Sequence, residues 1–92
     1  MSKEKLEIVQ KVIEKALPVK ATIISGHEIT FSFSADKSTT LDFNQDYLRD
    51  ISKDNIPDMI GNFDIINLIK NNNYKIINIS EKGAIPYRGN RS

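Results

Sequence analysis

Residues 28–34 read Glu28-Ile29-Thr30-Phe31-Ser32-Phe33-Ser34, an apolar side chain at every second position with a polar one between. Successive side chains on a strand point to opposite faces, so this period of two predicts a strand with one buried face and one wet face. The same period continues on both sides. Val19, Ala21 and Ile23 alternate with Lys20 and Thr22, and Thr39, Leu41 and Phe43 are spaced in the same way. Gly26-His27 separates the first two runs and predicts a tight hairpin with glycine at positive φ. Ala35-Asp36-Lys37-Ser38 supplies a second turn. Together these signals predict a three-stranded antiparallel meander with one apolar face.

That face needs a cover, and the residues before it provide one. Leu6, Val9, Ile13, Ala16 and Leu17 follow helical spacing, and Ile8 with Val12 widen the stripe toward half the circumference. A helix is expected from Lys3 to Leu17, capped by Ser2 and stopped by Pro18, with Glu7 and Lys11 as an i,i+4 pair. A stripe this wide suits packing against more than one element, or against a second copy in a homodimer. After the meander, Asn44 caps a short helix carrying Tyr47, Leu48 and Ile51 inward. Asp54-Asn55-Ile56-Pro57 interrupts the pattern, and a further helix is expected from Pro57 to Lys70, with Gly61 as its weak point. Asn71-Asn72-Asn73 ends it, and Tyr74–Ser80 reads as a fourth strand. The fold class is therefore α+β in the order α-β-β-β-α-α-β, a single domain over residues 1–81. Residues 82–92 are expected to form a flexible basic tail, because Glu81–Ser92 holds two glycines, a proline and little apolar content.

Composition narrows the function classes. With 92 residues, 39% of them hydrophobic and 27% charged, the chain fits one globular core and has no room for a second substrate domain. Cysteine is absent, which excludes disulfides, thiolate metal sites and thiol catalysis. Apolar runs are too short to span a membrane. Met1-Ser2-Lys3-Glu4-Lys5 carries both charge signs and no apolar core, so a cytoplasmic location is expected. Isoleucine, lysine and asparagine number fifteen, ten and nine. All three have A/T-rich codons, a bias compatible with low-GC bacteria and their phages or mobile elements.

The order helix, meander, helix is similar to that of double-stranded-RNA-binding domains. The resemblance is one of topology. In those domains the helix after the meander begins with lysines that reach RNA phosphates, whereas here Asn44-Gln45-Asp46-Tyr47-Leu48-Arg49-Asp50 is acidic and would repel a nucleic-acid backbone.

Charge is unevenly spread. Residues 42–64 carry six acids against Arg49 and Lys53, a net of −4, and residues 65–92 carry five bases against Glu81, a net of +4. Asp42, Asp46, Asp50, Asp54 and Asp58 recur every fourth residue. Were they helical, the middle members would share one acidic stripe. Asp46, Asp50, Asp54 and Asp58 are accordingly the candidate docking face for a protein with a basic surface. Their spacing lacks the alternating oxygen ligands and turn glycine of a calcium loop, so no metal or cofactor is expected. Lys82, Tyr87, Arg88 and Arg91 combine positive charge with one aromatic ring, the minimum for contacting phosphate and stacking on a base. His27 is the only histidine, and Ser25 and Glu28 beside it do not make a triad by proximity in sequence.

These features predict a small non-enzymatic interaction module, a phage or mobile-element regulator or inhibitor docking on a host macromolecule through the acidic helical face. The alternative is a nucleic-acid-binding protein using the basic C-terminal segment. A small oligomeric enzyme ranks third.

Overall fold

The computed structural model describes residues 2–71 and 73–87. Its elements are α1 (Ser2–Ala16), β1 (Lys20–Ile23), β2 (Glu28–Ser34), β3 (Lys37–Phe43), α2 (Gln45–Arg49), α3 (Ile56–Asn62), α4 (Ile65–Asn71), β4 (Ile76–Ser80) and β5 (Gly83–Tyr87). The α+β architecture expected from the sequence is present: an N-terminal helix, a meander, further helices and a returning strand. The strands form one sheet in the order β1-β2-β3-β4-β5. Neighbours are antiparallel except β3 and β4, which run parallel because α2–α4 carry the chain back to the starting end.

Register explains which face is buried. Ala21 pairs with Phe31 and Ile29 with Leu41, so the apolar members of each strand fall on one side. Leu41 stands beside Ile77 and Phe43 beside Ile79, extending that side into β4. Leu6, Val9 and Ile13 of α1 close over it, joined by Leu48, Ile56, Ile60, Ile65 and Ile69 from the shorter helices, and all of these are buried. Phe33, expected in the same row, lies where the β2–β3 register shifts between Ser32 and Ser34 and is only partly buried. Among the described residues, no helix is long and apolar enough to cross a membrane.

Among the described residues, no helix covers the opposite face of the sheet. Thr22, Thr30, Thr40, Ile76 and Tyr87 cross it in one continuous row. The Thr30 and Thr40 hydroxyls are hydrogen-bonded at 2.7 Å. Each sheet edge carries a feature that disfavours strand addition. On β1, the Ala21 N–H donates to the Glu14 carboxylate of α1 at 3.3 Å. On β5, Pro86 removes a backbone donor at the fourth of the five strand residues, as proline does on natural edge strands.

Three sequence expectations change. The helix placed over Pro57–Lys70 is two helices, and the break falls after Phe63 instead of at Gly61. Asp64 there adopts φ 58°, a left-handed conformation that aspartate tolerates better than most residues, and its carboxylate accepts from Asn67 Nδ2 at 2.8 Å. The β1–β2 connection is longer than a two-residue hairpin. The Ile24 N–H bonds the Glu28 carbonyl at 3.0 Å, and Ser25 Oγ accepts from the His27 N–H at 3.3 Å. Positive φ among the described residues occurs at Asp64 and Gly83, and not at Gly26. Finally, Gly83–Tyr87, expected in the basic tail, forms β5 on β4. Glu81-Lys82 makes the hairpin turn, Gly83 sits at φ 116°, and Ala84 packs against the core. Arg88 and Arg91 of that expected tail lie outside the described residues.

Candidate functional site

The acidic residues do not share a helix face. β3 runs through Phe43, α2 is only five residues long, and α3 starts at Ile56. The period of four in the sequence therefore crosses a strand, two helices and a loop. Asp42 leaves the group altogether, because it lies on the uncovered sheet face opposite Glu28. Asp46, Asp50, Asp54 and Asp58 remain together in the α2–α3 segment, and all four are exposed.

Local chemistry orders this segment. Asn44 Oδ1 accepts from the Tyr47 N–H at 3.1 Å and caps α2 as its residue type predicts. Asn55 is not a side-chain cap for α3. Its side chain instead closes the loop before α3, accepting from the Ser52 N–H at 2.8 Å and donating to the Asp50 carbonyl at 2.9 Å. The Asp54 N–H donates to Ser52 Oγ at 3.2 Å. Beneath the loop, Ile51 is buried, and its carbonyl accepts from the Lys5 ammonium of α1. Side-chain hydrogen bonds thus order the backbone that carries Asp50 and Asp54.

The four carboxylates have different structural roles. Asp46 and Asp58 sit in the first turns of α2 and α3, where a negative charge complements the helix dipole. Asp46 also pairs with Arg49, with the two side chains 85% and 73% exposed, so that pair adds little to stability. Asp50 is the C-cap of α2, the end where backbone carbonyls already concentrate negative charge. Asp54 lies in the turn after it. Stability of the helix ends accounts for Asp46 and Asp58 and opposes the charge at Asp50.

His27 has the carboxylate partner that sequence proximity failed to indicate. Its Nδ1 donates to Asp42 Oδ1 at 2.8 Å, and both side chains are one-third exposed. Ser25 Oγ donates to Glu28 Oε1 at 2.9 Å. Glu28 and Asp42 face each other across β2 and β3, an unfavourable juxtaposition for two acids. Each is thus answered by a group from the β1–β2 loop. The serine hydroxyl is committed to Glu28, not to the histidine, so Ser25, His27 and Asp42 do not form a nucleophile–base relay. Hairpin register was the signal for Asp42: the Phe43 N–H bonds the His27 carbonyl at 2.8 Å, placing the two ends side by side.

Of the basic candidates, Lys82 is exposed in the β4–β5 turn and Tyr87 is 47% exposed at the far end of β5. Tyr87 stands beside Ile76 on the uncovered face, and Ile85 is exposed nearby. The turn and the ring are therefore at opposite ends of one strand. Among the described residues, no three or more His, Asp and Glu side chains are placed to hold a metal ion.

No known protein family, curated protein or solved structure matches the chain.

Proposed function

We propose that this chain is a non-enzymatic interaction module that docks on a basic surface of another protein through the α2–α3 segment, with Asp50 and Asp54 at the centre of contact. The observation that carries the proposal is the position of Asp50. It is an exposed acid at the unfavourable end of a helix, at the start of a loop that the Asn55 side chain closes and that also carries Asp54. A preordered loop gives up little conformational freedom on binding, which favours affinity. Asp46 and Asp58 flank the pair and add to its field. The small size and the isoleucine-, lysine- and asparagine-rich composition support a phage or mobile-element regulator or inhibitor as the biological context.

A second proposal, nucleic-acid contact, draws support from Tyr87, whose ring is available for stacking on the uncovered sheet face beside Ile76. Lys82, Arg88 and Arg91 would supply the positive charge.

Capture from cell lysate with and without nuclease separates the two. The bait is wild type or the double variant Asp50→Asn/Asp54→Asn, at equal folded concentration. Docking through the acidic segment requires a protein band that survives nuclease, weakens at moderate salt and is lost with the variant. Equal capture by both baits eliminates the acidic segment as the contact. Capture that vanishes with nuclease favours the nucleic-acid reading.

A further inference from the structure

Ile8 and Val12 widen the apolar stripe of α1 beyond the part that the sheet covers, and both are only partly buried. With Ile56 and Pro57 at the start of α3 they line an open groove of about 580 Å³. The charged lining of that groove is balanced, two acids and two bases, with Glu7 and Lys11 among them. The neighbouring Asp46–Asp58 stretch has four acids against two bases and calls for a basic partner. A balanced surface suits a partner that is balanced in the same way. Along this side of α1 the order is Glu4, Glu7, Ile8, Lys11, Val12 and Lys15, acids first and bases last, with the two apolar residues partly buried and the charged ones exposed; Glu14, also exposed, is turned to the Ala21 N–H of β1.

We infer that this side of α1 pairs antiparallel with α1 of a second copy of the chain, about a two-fold axis passing between Ile8 and Val12. An isologous contact must be complementary to itself, and the charge order meets that requirement. With a rise of about 1.5 Å per residue, Ile8 comes level with the partner's Val12 and Glu7 stands about 3 Å along the axis from the partner's Lys11. The partner's Lys15 falls on the other side of Glu7. A parallel arrangement would set Glu7 against the partner's Glu7 and is disfavoured. The apolar residues fill each other's groove while the charges fix the direction. α1 has 15 residues and is about 22 Å long. A single helix of that length covers less than the roughly 800 Å² per partner of a stable complex. The dimer is therefore weak and forms at high protein concentration.

Sedimentation velocity across a concentration series tests the inference with wild type, Glu7→Lys, Lys11→Glu, and the double exchange Glu7→Lys/Lys11→Glu. Both positions are exposed, and unchanged thermal unfolding of each variant checks that the fold persists. Each single variant should associate about tenfold more weakly than wild type, since two symmetric attractions become repulsions. The double exchange should recover most of the loss. An equimolar mixture of the two single variants should associate more tightly than either alone, because one then carries only bases and the other only acids at these positions. A wild type that stays monomeric at the highest concentration overturns the inference. So does a dimer indifferent to Glu7→Lys, or a mixture no tighter than its components.

Discussion

The β2–β3 hairpin and the α2–α3 segment are neighbours in the chain, separated only by Asn44, and they are ordered by opposite means. In the hairpin Ile29, Phe31 and Leu41 are fully enclosed, and Phe43 is nearly so. In the loop between α2 and α3 only Ile51 is anchored in the core, and the turn itself is closed by the Asn55 and Ser52 side chains. Full burial of one large apolar side chain is worth about 1.5–3 kcal/mol. A hydrogen bond contributes a net of about 0.5–1.5 kcal/mol. The hairpin therefore contributes far more to stability than the loop, whose exposed charges are expected to contribute little. Binding residues lie disproportionately on loops that a rigid scaffold positions, which is why the docking proposal is placed here.

The sharpest way to break this contrast is Phe31→Ala. Removing an enclosed ring from the centre of β2 should cost about 3–5 kcal/mol in denaturant unfolding. An unchanged midpoint would mean that the hairpin is not the source of stability. Next comes Asn55→Ala, which deletes both bonds that close the loop and should cost about 1–2 kcal/mol. Amide exchange should quicken over residues 50–55 while β2 and β3 stay protected. Neutralising the loop with Asp50→Asn/Asp54→Asn should shift stability by no more than about 0.5 kcal/mol, in the stabilising direction, as charge leaves the C-terminal end of α2. A large destabilisation would assign the two acids to the fold.

The smallest effect concerns Tyr47, which stacks on Phe63 with ring centroids 6.3 Å apart. Burial of its hydroxyl, and secondarily the Glu81 charge, raise its pKa above the ordinary value of 10.0. A group whose pKa is raised on folding stabilises fully below its unfolded value and loses that contribution as pH rises through the folded one. Stability should decline above about pH 10 for this reason. Tyr47→Phe should leave neutral-pH stability nearly unchanged and flatten the alkaline decline in thermal unfolding measured against pH.

Legibility in the sequence follows the same division. α1, β2 and β3 were readable because burial imposes a period, and Phe31 and Leu41 announce theirs. β5 was obscured because Gly83, Ala84 and Pro86 give it a weak apolar alternation, and proline reads as a strand breaker unless the strand lies at an edge. The interruption at Asp64 was hidden because isoleucine spacing continues through it into α4, and the left-handed backbone at that one residue breaks the helix without disturbing the apolar pattern. The aspartates misled for the opposite reason. Their period of four is a property of the sequence with no single helix beneath it. The His27–Asp42 pair required the β2–β3 register, which spacing alone does not supply.

The most direct measurement of the central claim is amide exchange of the free protein and of the protein bound to its captured partner. Docking through the acidic segment predicts new protection confined to residues 46–58, greatest around Asp50 and Asp54, with β4 and β5 unchanged. Protection over Ile76, Ile85 and Tyr87, with residues 46–58 exchanging as in the free protein, would place the contact on the uncovered sheet face and contradict it.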